Sequence, residues 1–142
     1  MNVLVPFVLS LAASASAVPA RTAAVPEPLA CRLDALSPAE RARHEKLTAL
    51  LQRAVVQTRE LPDGWELALD LSRLPADAHG NPVCVVEIAE WVDLEARCCP
   101  FLDFRLEVRG KGSRSVALAL TGAPGVKEFL KTELALVSGG RR

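Results

Sequence analysis

Residues 90–104 read EWVDLEARCCPFLDF and join a helix to a strand through two adjacent cysteines and a proline. The apolar residues before the cysteines recur at helical spacing, and Pro100 disfavours helical geometry at Cys99, so the helix is predicted to end at about Cys98. Adjacent helical positions differ by about 100°. Both thiols can therefore face the core only if the last turn of the helix opens.

The residues after Pro100 alternate between apolar and polar side chains, as in a strand with one buried face. The inward set is Leu102, Phe104, Leu106 and Val108, and the outward set is Asp103, Arg105, Glu107 and Arg109. A turn at residues 110–113 leads to a partner strand with Val116, Leu118 and Leu120 facing inward. A second hairpin is predicted upstream, with strands 55–61 and 65–71 around Pro62-Asp63-Gly64. In its second strand Glu66, Ala68 and Asp70 are expected to face solvent.

Three helices are predicted. The first begins at Ser37-Pro38-Ala39-Glu40, a capping box, and continues to about Ala54. The second is predicted to be capped by Asn81-Pro82. Its buried face is expected to contain Val85, Ile88, Ala89, Val92, Ala96 and Cys99, beside a stripe of Trp91, Leu94 and Cys98. The third carries Val126, Phe129, Leu130, Leu134 and Val137.

The element order α-β-β-α-β-β-α predicts an α+β fold, with a four-stranded antiparallel sheet and helices packed mainly on one face. The chain of 142 residues is long enough for a single domain, placed at residues 29–138. Residues 21–28 are predicted to be a linker and residues 139–142 a disordered tail.

Residues 1–20 resemble a secretory signal peptide, because an uncharged apolar run at residues 3–17 fades into small residues. This predicts a periplasmic or secreted protein. No Lys or Arg precedes the apolar run, so a cytoplasmic protein with a meaningless N-terminal extension is the alternative. No later segment is apolar enough to cross a membrane.

The 17 basic and 17 acidic side chains cancel, and no basic block precedes the terminal Arg141-Arg142. Nucleic acid is therefore not the expected partner, since backbone binding needs clustered Lys and Arg. No hydrolase, zinc-protease or phosphate-loop motif is present, which favours a protein that is not an enzyme.

Cys98 and Cys99 form a vicinal thiol pair that suits Hg(II), Cu(I), As(III) or Zn(II) better than hard cations. Two thiolates do not complete a tetrahedral zinc site, and Cys31 and His44 are the predicted additional ligands. Cys84 is expected to be a small buried side chain. His79 is expected to be a solvated loop residue.

The end of a helix and Glu95 are both expected to raise the pKa of these thiols, with Arg97 opposing them. Strong nucleophiles are therefore not expected. The carboxylates Glu87, Glu90, Asp93 and Glu95 are interpreted as a solvated face of the helix.

Two further interpretations stay open. In the first, the cysteines are structural, with Cys99 inside and Cys98 at the surface, and the protein is an interaction domain whose open sheet face meets a partner. In the second, the protein is a thiol redox protein with a reversible disulfide formed by Cys98 and Cys99 or involving Cys31.

Several segments carry a resemblance: residues 31–41 (CRLDALSPAER), 59–64 (RELPDG), 95–102 (EARCCPFL) and 125–129 (GVKEF). Together they resemble a group of small uncharacterised bacterial proteins, over residues 29–136. The Cys-Cys-Pro-Phe segment is also similar to part of the C-terminal region of some mercury-responsive MerR-type regulators, whose DNA-binding domain has no counterpart here. The resemblance implies a thiol-based metal-binding or metal-sensing module at Cys98 and Cys99.

Overall fold

The structure is a computed structural model that describes residues 29–77, 79–110 and 114–133. These residues form α1 (Pro38–Ala54), β1 (Val55–Leu61), β2 (Gly64–Asp70), α2 (Val85–Cys98), β3 (Leu102–Arg109), β4 (Ser115–Gly122) and α3 (Val126–Glu133). Short 3₁₀ turns lie at Leu33–Ala35 and Leu71–Arg73. The predicted signal peptide, linker and tail lie outside the described residues, as do Leu134 and Val137.

The four strands form one antiparallel sheet in the order β1-β2-β4-β3, with the helices on one side. The predicted α+β fold is thus confirmed. Leu67 pairs with Leu118 and Leu69 with Val116 across the two central strands. All four side chains are buried, so the register brings the inward faces of both hairpins into one core.

Helix α1 begins where its capping box predicts. The Glu40 N–H donates to Ser37 Oγ at 3.3 Å, and the Ser37 N–H donates to the Glu40 carboxylate at 2.8 Å. Hydrogen bonds from Ser37 hold the pKa of Glu40 down at about 2. The helix ends at Ala54, as predicted.

Helix α2 begins later than predicted. Asn81 does not cap it, because the Asp77 carboxylate accepts hydrogen bonds from the Asn81 N–H and side-chain amide and so draws Asn81 into the preceding loop. The N-cap residue is Cys84, whose N–H donates to Glu87 at 3.0 Å. Cys84 is exposed, so the expectation of a small buried side chain is wrong.

The buried face of α2 is rotated from the predicted one. Its buried residues are Ile88, Trp91, Leu94, Glu95 and Cys98, whereas Ala89 and Ala96 are exposed. Trp91 is the largest of these side chains, and its burial turns the helix toward the stripe that the sequence places beside the core. Glu95 is carried inward with it and is only 1% exposed, so its assignment to the solvated face is wrong.

The outer face of the sheet is not fully exposed to solvent, contrary to the prediction. Glu66 is 5% exposed, because arginines from both edge strands lie over it. Its carboxylate is 3.0 Å from Arg59, 3.7 Å from Arg105 and 3.6 Å from Arg109. At the far end of edge strand β3, Val108 pairs with the buried Val116 on the inward face but is itself 46% exposed. Among the described residues no helix is both long and apolar enough to span a membrane.

Candidate functional site

The two neighbouring cysteines both reach the core. Cys98 is the last residue of α2, and Cys99 has a φ of −121° and a ψ of 68°, so the chain leaves helical geometry where Pro100 predicts. Cys98 is 1% exposed and Cys99 is fully buried. Their Sγ atoms are 3.8 Å apart. The last turn therefore opens as expected, and the interpretation that places Cys98 at the surface is wrong.

Cys99 is joined to Cys31 by a disulfide, with Cα atoms 4.7 Å apart. The segment before α1 is held at the same point by its backbone, since the Arg32 N–H donates to the Cys98 carbonyl at 2.7 Å. Cys98 and Cys84 carry free thiols. The sequence predicts that Cys31 joins the cysteine pair, but it leaves open whether Cys31 does so as a metal ligand or in a disulfide.

His44 approaches the pair from α1. Its Nε2 lies 2.6 Å from Glu95 Oε2, and its side chain is 15% exposed. The imidazole stacks on the Trp91 ring at a centroid distance of 6.0 Å, and the Trp91 indole N–H donates to Thr48 Oγ1 at 2.9 Å. His44 thus contacts Glu95 directly, and Glu95 connects it to the cysteines.

Glu95 is the site residue that the sequence analysis missed. It lies four residues after Trp91 and three before Cys98, a spacing that places all three on one face of a helix. This spacing was the available signal, but a glutamate between an alanine and a leucine is far more often exposed. Its Oε1 is buried and accepts no hydrogen bond from the described residues.

The Cys98 thiol is electrostatically disfavoured as a nucleophile. Its Sγ donates to the Glu95 carbonyl at 3.4 Å and lies 3.8 Å from Glu95 Oε2. Burial and the nearby Glu95 charge raise the pKa of Cys98 to about 11, while Arg97 lowers it. The direction is the predicted one, with burial as the largest cause. At neutral pH Cys98 is protonated, so its attack on the adjacent disulfide is slow.

Five potential metal ligands meet here. The ligand atoms of Cys31, Glu95 and Cys99 lie within 4.8 Å of one another, and so do those of His44, Glu95 and Cys98. Because Glu95 belongs to both groups, they form one connected set, which we call the buried cluster: Cys31, His44, Glu95, Cys98 and Cys99. All four predicted metal ligands belong to it.

Comparisons with protein-family models, with curated proteins and with solved structures find no match to this chain. The likeness to mercury-responsive regulators accordingly stays a prediction.

Proposed function

We propose that this protein binds a thiophilic metal ion at the buried cluster, and that binding through the sulfur atoms of Cys31 and Cys99 requires reduction of the Cys31–Cys99 disulfide. The ligands are Cys31, Cys98, Cys99 and His44. Soft ions such as Hg(II) and Cu(I) prefer thiolates, and Zn(II) accepts mixed sulfur and nitrogen ligands. The disulfide and the metal then compete for the same two sulfur atoms.

Reduction supplies the ligands. A dithiol reductant breaks the Cys31–Cys99 bond, transfers two electrons and two protons to the two sulfur atoms, and becomes a disulfide itself. Three thiols then lie in one site, two at the end of α2 and one in the segment before α1. Metal binding displaces their protons, because thiolates are the ligands.

The observation that carries this proposal is the convergence of the ligands. The ligand atoms of Cys31, Glu95 and Cys99 lie within 4.8 Å of one another, and so do those of His44, Glu95 and Cys98. All four proposed ligands therefore surround the same buried carboxylate. The 3.8 Å between the Sγ atoms of Cys98 and Cys99 supports the same reading. Two thiolates on one tetrahedral zinc are about 3.8 Å apart when the Zn–S bonds are about 2.3 Å.

We further propose that the protein acts in the periplasm or outside the cell. Disulfides persist in oxidising compartments, and the Cys31–Cys99 bond fits such a location. The uncharged apolar run at residues 3–17 supports export.

The test measures metal retention by the full chain in its reduced state. The protein is reduced with a dithiol, desalted without oxygen, mixed with one equivalent of Hg(II), Cu(I) or Zn(II) in separate samples, and weighed by native mass spectrometry. We expect one retained ion of at least one of these metals. The Cys98→Ser/Cys99→Ser variant should lose it.

Cys84→Ser is the matched control, because it removes an exposed free thiol outside the cluster. It should retain the ion as the unmodified chain does. Equal retention by the double-serine variant, or no retention by the reduced wild type, would refute the proposal.

A further inference from the structure

Disulfide formation leaves three residues of the buried cluster outside the covalent bond. His44, Glu95 and Cys98 are not in the Cys31–Cys99 bond. The ligand atoms of these three residues all lie within 4.8 Å of one another. Two come from α2, three residues apart on one face, and the third comes from α1. A nitrogen, a carboxylate oxygen and a sulfur are thus brought together in the oxidised protein.

A second observation points to a ligand at this place. Glu95 is 1% exposed, and within the described part of the chain its Oε1 has no hydrogen-bond partner. Glu95 hydrogen-bonds His44 through Oε2, so Oε1 is the carboxylate oxygen that has no partner there. Within the described residues, the side chains that hydrogen-bond this carboxylate are His44 and Cys98, both through Oε2. A cation bound at Oε1 would give the free oxygen a partner.

One ligand of this site, His44, borders a groove at the surface. A groove of about 350 Å³ lies against α1, and His44 forms part of its wall. Its other lining residues are Leu33, Arg41, Glu45, Thr48, Ala49 and Gln52. The groove offers an ion a route to His44 that does not require the sheet to open. It also leaves room for a water or a small ligand beside the imidazole.

We propose that the oxidised protein binds a divalent ion of borderline softness, of the Zn(II) class, through His44, Glu95 and Cys98. Three protein ligands leave a coordination position open, as in zinc sites that bind water or substrate. The inference rests on the proposed function insofar as His44 and Cys98 are metal ligands there too. It differs in using Glu95 as a ligand in place of Cys31 and Cys99.

In this arrangement, formation of the Cys31–Cys99 disulfide changes which metal ions the cluster prefers. The reduced cluster offers three sulfur atoms, which select soft ions. The oxidised cluster offers one sulfur, one nitrogen and one oxygen, a set that suits Zn(II) or Co(II) better than Hg(II) or Cu(I).

The experiment titrates the full chain, with its disulfide verified by mass after alkylation, with Co(II) in the absence of oxygen. We expect one bound equivalent with sulfur-to-cobalt charge-transfer absorption, and displacement by Zn(II). Cys98→Ser should abolish that absorption. Glu95→Gln should weaken Co(II) binding by more than about tenfold, since even residues that only orient a ligand contribute that much.

Glu90→Gln and Cys84→Ser are matched controls, because they remove a carboxylate on the same helix and a free thiol that both lie outside the cluster. Both should bind Co(II) as the wild type does.

If the oxidised wild type binds no Co(II) while the reduced protein retains Hg(II), this inference fails and the proposed function stands. If oxidised Glu95→Gln binds as tightly as the wild type, the assignment of Glu95 is wrong. Binding by neither form overturns both.

Discussion

Glu95 and His44 form a partly buried polar pair in the contact between α1 and α2. The pair joins a carboxylate that is 1% exposed to an imidazole whose side chain is 15% exposed. Removing charged groups from water costs several kcal/mol, and mutual attraction often only offsets it. A pair of this kind contributes little to the free energy of unfolding. Its presence here is therefore better explained by the chemistry of the buried cluster.

Replacing one member of the pair should destabilise the protein more than replacing both. His44→Leu leaves Glu95 buried without its partner and should lower the free energy of unfolding by about 3 kcal/mol. His44→Leu/Glu95→Leu removes both polar groups and should lie within about 1 kcal/mol of the wild type. Urea denaturation at neutral pH with the disulfide intact measures both. If the second substitution fails to rescue the first, the pair is needed for folding and its functional explanation weakens.

The Cys98 thiol should make stability depend on alkaline pH. Its pKa is raised from 9.0 to about 11 by burial and by Glu95, so between these values the folded chain keeps a proton that the unfolded chain loses. Stability from this group is therefore fully present below about pH 9 and is lost as the pH rises toward about 11. The urea midpoint of a Cys84→Ser background should fall across this window more steeply than that of Cys84→Ser/Cys98→Ala. Parallel curves would show that Cys98 does not titrate abnormally.

At the scale of elements, the cluster is positioned by the packing of α1 against α2. The Trp91 indole N–H donates to Thr48 Oγ1 at 2.9 Å within this contact. Ion pairs flank it at the surface: Arg43 with Glu90, and Arg97 with Glu40 at 2.8 Å. Exposed pairs contribute little, so the buried indole contact is the stronger constraint on how the helices align.

Two threonine-to-valine substitutions should separate a satisfied hydroxyl from an unsatisfied one. Thr48→Val removes the acceptor of a buried indole N–H and should destabilise the protein by about 1–2 kcal/mol. Thr58 Oγ1, on β1, is buried and has no partner in the described residues. Thr58→Val should therefore be neutral or stabilise the protein by up to about 1 kcal/mol. Chemical denaturation of both variants measures the difference, and equal losses would contradict the assigned hydrogen bond.

Features with local causes could be predicted from the sequence. The start of α1 depends on Ser37, Pro38 and Glu40 alone, and its predicted boundary is correct. The opening of the last turn of α2 depends on Pro100, its immediate neighbour. Strand alternation depends on the period of two side chains along β3 and β4, which gave the sheet and its inward face.

Features that depend on distant partners could not be predicted. Glu66 is buried by arginines from β1 and β3, and although the hairpin places β1 beside β2, the position of β3 does not follow from β2. Cys84 caps α2 because Asp77 takes Asn81 into a loop. Glu95 is buried because Trp91 sets the rotation of the helix. The four predicted site residues lie together in the buried cluster. The fifth member, Glu95, could not be predicted because its burial depends on a tertiary contact.

At the scale of the whole molecule, one covalent bond closes most of the fold. Cys31 precedes α1, and Cys99 follows α2, so the disulfide encloses α1, the β1–β2 hairpin and α2 in one loop. Their separation of 68 residues makes the loop long. A cross-link of this span restricts the unfolded chain and stabilises a domain by about 4 kcal/mol on entropic grounds. A metal held by both cysteines would join the same two points of the chain.

Reduction and metal binding should therefore act on stability in opposite directions. The reduced, metal-free chain should unfold with a free energy lower by up to about 4 kcal/mol than the oxidised chain. A metal at about 1,000 times its dissociation constant should return about 4 kcal/mol to the reduced chain. Urea midpoints of the oxidised, reduced and metal-loaded reduced chains measure this.

Reduced Cys31→Ser should gain less stability from the same metal, because the segment before α1 no longer supplies a ligand. If the metal stabilises reduced wild type and reduced Cys31→Ser equally, Cys31 is not a ligand, and the competition between metal and disulfide reduces to Cys99 alone.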